Sequence, residues 1–146
     1  MIRKLAHLCL VTDRLQPMVE FYTQKLGFKI QFIFRNNDND IFGYYLHTGD
    51  STFIEIFDRL GKHKQWGKGD PEPLKGGNQM NHLCFEVTGL KEFRTELISR
   101  GVKIGDISSG MDHSLQAWTG DPDGNAIEFM EYTHASWQLN PPTELS

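Results

Sequence analysis

The sequence predicts an α+β fold made of two βαβββ modules, and three observations carry that prediction. A short phrase is written twice, as Ala6-His7-Leu8-Cys9-Leu10-Val11 and as Asn81-His82-Leu83-Cys84-Phe85-Glu86-Val87. Each copy runs into a segment with helical spacing that stops at a glycine, Gly27 in the first and Gly101 in the second. After each of those come three further strand-like runs. A strand period of two places His82, Cys84 and Glu86 on one face and Leu83, Phe85 and Val87 on the other. A histidine is thereby carried to the same face of two related strands.

The size agrees with one domain. A chain of 146 residues, 38% hydrophobic and with ten Phe, can bury a sizeable core. A net charge of -4 and a pI near 5.8 lack the clustered basic excess of a nucleic-acid footprint. No apolar run approaches the roughly 20 residues that span a bilayer, so no membrane partner is expected. The two cysteines, Cys9 and Cys84, and the absence of an Asn-X-Ser/Thr acceptor favour a reducing, cytoplasmic setting. Both thiols read as small apolar filler more than as ligands.

Taken in order, Arg3 to Thr12 reads as the first strand. Leu15, Met18, Val19, Tyr22 and Leu26 then form one apolar helical stripe, with Pro17 in the first turn and Gly27 at the C-terminal cap. Phe28 to Arg35, Ile41 to His47 and Thr52 to Asp58 read as strands, with a polar turn at Asn36-Asn37-Asp38-Asn39-Asp40. This is module one, residues 1–58. Residues 59–78 are glycine-rich, show no sustained period and read as a long linker, either a solvated connector or a lid.

Module two, residues 79–132, restarts the pattern. A strand runs from Gln79 to Val87, Leu90, Phe93 and Leu97 make a short helical stripe, and Val102 to Ile107, Ser114 to Thr119 and Asn125 to Tyr132 read as strands. Asp121-Pro122-Asp123-Gly124 fits a type I turn. Residues 133–146, with Pro141-Pro142, read as a poorly ordered C-terminal tail.

If the modules are copies, the last strand of the first and the last strand of the second should correspond, and each carries a glutamate. They read Phe53-Ile54-Glu55-Ile56 and Ala126-Ile127-Glu128-Phe129. Alternation turns the flanking apolar residues toward the helix and both carboxylates the other way. His7 and His82 are 75 residues apart, and Glu55 and Glu128 are 73 apart. One buried glutamate fits a salt bridge, as one histidine fits a hydrogen-bonded core. An unpaired buried carboxylate, however, costs several kcal/mol, and two at equivalent places ask for a shared cation. Two imidazoles and two carboxylates neutralise a divalent ion and leave open positions. Such a mixed set suits Ni, Co, Zn, Mn or Fe without choosing among them.

These segments, with Phe21-Tyr22-Thr23-Gln24-Lys25-Leu26-Gly27-Phe28 and Asp121-Pro122-Asp123-Gly124, resemble the vicinal oxygen chelate superfamily of glyoxalases, bleomycin-resistance proteins and extradiol dioxygenases. The resemblance covers residues 2 to about 132 as one domain, and it is closest to the glyoxalase-like, lactoylglutathione lyase-like branch. It implies two βαβββ modules curled into an incomplete barrel around a metal. His7, Glu55, His82 and Glu128 match the metal ligands, with Glu128 as the base and Glu55 on the other face of the substrate. It further implies lyase or isomerase chemistry through an enediolate on a small substrate with adjacent oxygens, and a homodimer. An extradiol Fe(II) dioxygenase and a non-catalytic binding or resistance protein are the alternatives within the superfamily.

Two departures bear on the substrate. Basic residues that hold glutathione in glyoxalases lie near the first helix end and before the last hairpin, with an asparagine after the first glutamate. Here those neighbourhoods hold Gln24, Ser114-Leu115-Gln116-Ala117-Trp118 and Arg59. His113, just before a strand, reads as an exposed loop histidine, with an acid or base role as its alternative.

Overall fold

In the computed structural model, which describes residues 5–74 and 82–140, the chain divides into two units, Met1–Asn78 and Gln79–Ser146. Each unit carries one four-stranded mixed sheet and its helices, so the α+β class expected from the sequence is the one observed. Arg3 and Lys4, residues 75–78 of the expected linker, Gln79 to Asn81 of the expected fifth strand, and Pro141-Pro142 lie outside the described residues.

In the first unit, β1 spans His7–Thr12 and α1 spans Leu15–Glu20. The predicted stripe holds, with Met18, Val19, Tyr22 and Leu26 buried. The helix does not keep one pitch, however. Phe21–Lys25 widens into a π-helical turn, in which Leu26 N donates to Phe21 O at 3.1 Å. The Thr23 hydroxyl donates to Val19 O at 2.7 Å, occupying a carbonyl near the point of change. Gly27, at φ 82°, ends the segment in a conformation a side chain would resist.

The strands β2 (Lys29–Arg35), β3 (Ile41–Gly49) and β4 (Thr52–Asp58) follow, and the sheet order is β1-β4-β3-β2. β1 and β4 run parallel, and the other pairs are antiparallel. Ile54 and Ile56 are buried as the alternation requires, which leaves Glu55 on the opposite face. Filling such positions is worth about 1.5–3 kcal/mol per side chain. Gly43 pairs with Phe57 across β3 and β4, and a methyl group added there would land on the Phe57 ring.

The stretch after β4 differs from the expected linker. Arg59–Trp66 forms a helix, α2, whose first turn is capped by the Asp58 carboxylate accepting from Gly61 N at 2.6 Å. Its weak sequence signal has a physical reason. The helix buries no residue fully and is anchored instead through Trp66, whose ring meets Phe57 edge-on at 5.4 Å.

The second unit holds β5 (His82–Glu86), α3 (Leu90–Ser99), β6 (Ser108–Ser109), β7 (Leu115–Gly120) and β8 (Ala126–Glu131), in sheet order β5-β8-β7-β6. Again the first and last strands are parallel neighbours. Leu90, Leu97, Ala117, Ile127 and Phe129 make the core. The run Val102 to Ile107 is not the strand the sequence predicts. It lies along β7 through Gly105 N donating to Trp118 O at 2.8 Å and the Thr119 hydroxyl donating to Lys103 O at 2.7 Å. A side-chain donor there replaces the backbone ladder, and only Ser108 and Ser109 pair regularly. The expected tight turn forms, with Gly124 N donating to Asp121 O at 2.9 Å.

The tail differs too, because Thr133 to Asn140 folds back. Ser136 is buried, the Ser114 hydroxyl donates to it at 2.9 Å, and Trp137 N donates to Asp112 O at 2.9 Å.

Candidate functional site

The register of the parallel strand pairs decides what each candidate residue meets. In the first unit His7 lies opposite Phe53 and Cys9 opposite Glu55, so His7 is one same-face step from the glutamate. The imidazole spans that step: Nε2 of His7 is 3.5 Å from Oε2 of Glu55. In the second unit His82 lies opposite Ala126 and Cys84 opposite Glu128, and Nε2 of His82 is 3.1 Å from Oε2 of Glu128. The two modules thus build the same His–Glu pair from the same positions of the same two strands.

The pairs differ in their surroundings. The His7 and Glu55 side chains are 43% and 16% exposed, whereas those of His82 and Glu128 are 32% and 6% exposed. On its second flank Glu55 meets Tyr45, and Glu128 meets Trp118. The Tyr45 hydroxyl is 3.1 Å from Nδ1 of His7, and Trp118 packs edge-on against the His82 ring at 4.8 Å. The phenol holds the ring through Nδ1 in either tautomer; a cation shared with Glu55 would require the proton on Nδ1, donated to the phenol oxygen, and the lone pair on Nε2.

Partial burial first, and then the Glu55 carboxylate, push the Cys9 thiol up to about 11. The same causes, with Glu128 in place of Glu55, push Cys84 up to about 12. Both sulfurs are therefore protonated thiols at neutral pH, but both cysteines are exposed on the open face of their strands and are not the buried apolar filler the sequence suggests. His113 is exposed, at φ 64°, with its ring against Trp137.

Among the described residues no group of three or more His, Cys, Asp and Glu is gathered to hold a metal ion. What is present is one donor pair in each unit. A divalent ion bound at about 2.1 Å sets neighbouring donors about 3.0 Å apart at right angles and about 3.4 Å apart at the tetrahedral angle. The separations of 3.1 and 3.5 Å match that requirement, and the nitrogen and carboxylate donors match first-row metals. Each pair could supply two neighbouring donors to a cation, and at 3.1 Å His82 and Glu128 are equally within hydrogen-bond reach of one another.

Tyr45 and Trp118 escaped the reading of the sequence. Alternation marks the face each occupies on its own strand, but only the register sets them beside the glutamates.

The same architecture recurs among solved structures. A glyoxalase family protein from Enterococcus faecalis superposes with a TM-score of 0.66 at 23% identity, covering 88% of this chain and 98% of its own. A lactoylglutathione lyase from Agrobacterium tumefaciens gives 0.65 at 18% identity, over 88% and 92% of the two chains. A virulence protein from Salmonella typhimurium gives 0.64 at 21%, over 91% and 99%. At these identities the likeness is one of fold. No curated protein matches the chain. Residues 4–129, which include both His–Glu pairs, match one family along their whole length, and the chain belongs to the Glyoxalase/Bleomycin resistance protein/Dioxygenase superfamily.

Proposed function

We propose that this chain is a divalent-metal-dependent, glyoxalase-like enzyme, a lyase or isomerase that moves a proton next to a carbonyl in a small substrate with adjacent oxygens. The observation that carries the reading is the His–Glu pair built twice at equivalent register. His7, Glu55, His82 and Glu128 would hold the cation. When bound, the cation supplies positive charge beside oxygens that become more negative as the proton leaves carbon.

The side chains do the rest. Glu128, with its strand flanked by Cys84 and Trp118, is the better shielded carboxylate and takes the proton. Glu55, more open and adjacent to the Tyr45 hydroxyl, attends the opposite face of the substrate. The missing glutathione-anchor pattern widens the substrate class to vicinal oxygen compounds that carry no tripeptide. A cytoplasmic homodimer completes the reading, which the free Cys9 and Cys84 support on the side of the reducing compartment.

The test is elemental analysis of protein purified without chelator, followed by activity in several metals on methylglyoxal with glutathione and on glutathione-free hydroxy-ketones. Stoichiometric metal and metal-restored turnover are expected. Absence of metal affinity would overturn the reading, and oxygen uptake with a catechol would replace it with a dioxygenase.

A further inference from the structure

We infer that the C-terminal segment walls one end of the His82–Glu128 site and that Gln138 is a specificity-determining residue there, holding a hydroxyl group of the substrate. The inference rests on the function proposed above and narrows the substrate class to hydroxylated compounds with adjacent oxygens. The juxtaposition that carries it is Gln138 over Met130, with Nε2 of the amide 3.7 Å from the thioether sulfur.

Its position follows from the strand register. Ile127 and Phe129 are buried in the core, so Glu128 and Met130 are successive residues on the open face of β8. One same-face step is about 6.6 Å. Cys84 and Glu86 on β5 and Trp118 and Gln116 on β7 flank them, as the partners of Glu128 and Met130. The segment after β8 doubles back to this face. Trp137 N donates to Asp112 O at 2.9 Å, and the Thr133 hydroxyl donates to His113 O at 2.8 Å, which clasps the segment on the loop before β7. Gln138 is thereby brought beside Met130, one step from Glu128. A substrate bound at His82 and Glu128 reaches it with a short carbon chain.

The amide is held in one orientation. Its Oε1 accepts from the Ser114 hydroxyl at 3.3 Å, and its Nε2 donates to the Asp112 carboxylate. The reverse orientation would set the amide oxygen against a carboxylate that has no proton to give. Nε2 carries two protons, and the second is directed at the thioether, a weak acceptor. Gln138 is exposed, so a ligand oxygen can take the place of the sulfur. The surrounding charges select the kind of oxygen. Asp112 holds the amide itself, and the exposed Glu86 stands opposite Met130 on β5. Two carboxylates repel a ligand carboxylate or phosphate. An ammonium group pairs with Glu86 but gives the Gln138 N–H nothing to donate to. A hydroxyl matches both, accepting from Gln138 and donating to Glu86.

The experiment is an NMR titration of the full chain in the presence of zinc, with xylulose in one arm and its analogue lacking the terminal hydroxyl in the other. The signals followed are the Gln138 side-chain amide and the Met130 methyl. Saturable shifts of both are expected with xylulose, and the analogue should bind at least about fivefold more weakly, as befits one lost hydrogen bond. Gln138→Leu should abolish that preference. Its circular dichroism should stay intact, because the Ser114 hydroxyl keeps Ser136 as an acceptor. Equal affinities in the parent, or a preference that survives in Gln138→Leu, would overturn the inference. Zinc uptake is read separately by calorimetry. A chain that takes up zinc but shows no preference sinks only the subsite. One that shows the preference without zinc uptake keeps the subsite and sinks the metal reading, and one that binds neither sinks both.

Discussion

The Tyr45 hydroxyl lies 3.1 Å from Nδ1 of His7, while the other ring nitrogen of His7 faces Glu55 at 3.5 Å. Burial first, and the Glu55 charge second, raise the Tyr45 pKa from its ordinary value, so the phenol stays protonated at neutral pH. It is then a partner that orients the imidazole whichever tautomer the ring takes. Removing the hydroxyl by Tyr45→Phe keeps the ring contacts with Phe32 and Phe53. Divalent-metal affinity, measured by calorimetry, should fall about 10-fold or more. Equal affinities in the two proteins would show that Tyr45 has no hold on the ligand geometry.

Glu128→Gln preserves volume in a site with only 6% side-chain exposure and removes the capacity to accept a proton. Turnover should drop by about 10²–10⁴, the usual contribution of a positioned general base. Far-UV circular dichroism should be unchanged, because the substitution leaves β8 and its pairing intact. A variant that turns over at the parent rate would remove Glu128 from the chemistry.

Much of this could be read from the chain because strand alternation is local. Ile54 and Ile56 inward, and hence Glu55 outward, need only a period of two, and the repeat of His-Leu-Cys needs only comparison of the sequence with itself. What stayed hidden depends on distant partners. Tyr45 meets His7 across an intervening strand, α2 is held by aromatic contacts of Trp66 and not by an apolar stripe, and Val102 to Ile107 lost its ladder to a threonine hydroxyl. The start of α3 is a fourth case. Its cap residue, Gly89, has no side chain, and the missing acceptor comes from Glu131 on β8.

That cap gives a pH dependence with a definite sign. Glu131 accepts from Gly89 N at 2.7 Å and from Leu90 N at 2.9 Å, and those backbone donors, Leu90 first, lower its pKa in the folded chain. A carboxylate with a depressed folded value binds fewer protons when folded than when unfolded. Its contribution is therefore fully present above the unfolded value and is lost as pH falls through the folded one. Glu131→Gln should lower the urea midpoint at about pH 7, and the deficit should shrink progressively as pH falls below the ordinary carboxylate range. A deficit that stays constant with pH would mean that the charge at the helix start contributes nothing.

The fold-back of the C-terminal segment makes a test that a loose tail would fail. Ser136 is fully buried and its oxygen accepts from the Ser114 hydroxyl at 2.9 Å and from Thr133 N at 2.8 Å. Ser136→Ala removes that oxygen without removing the two donors aimed at it. Ser114 has a second acceptor, Gln138 Oε1 at 3.3 Å, so its loss is softened, whereas Thr133 N is left facing a methyl group. The expected cost is about 1–3 kcal/mol, the range for a buried donor left unsatisfied, read as a fall in urea midpoint with an unchanged slope. The loss should spread beyond the tail, because Ser114 leads directly into β7, whose Ala117 and Trp118 pair with Phe129 and Glu128. A variant as stable as the parent would show that residues 133–140 only rest on the second unit, and that the position of Glu128 owes nothing to them.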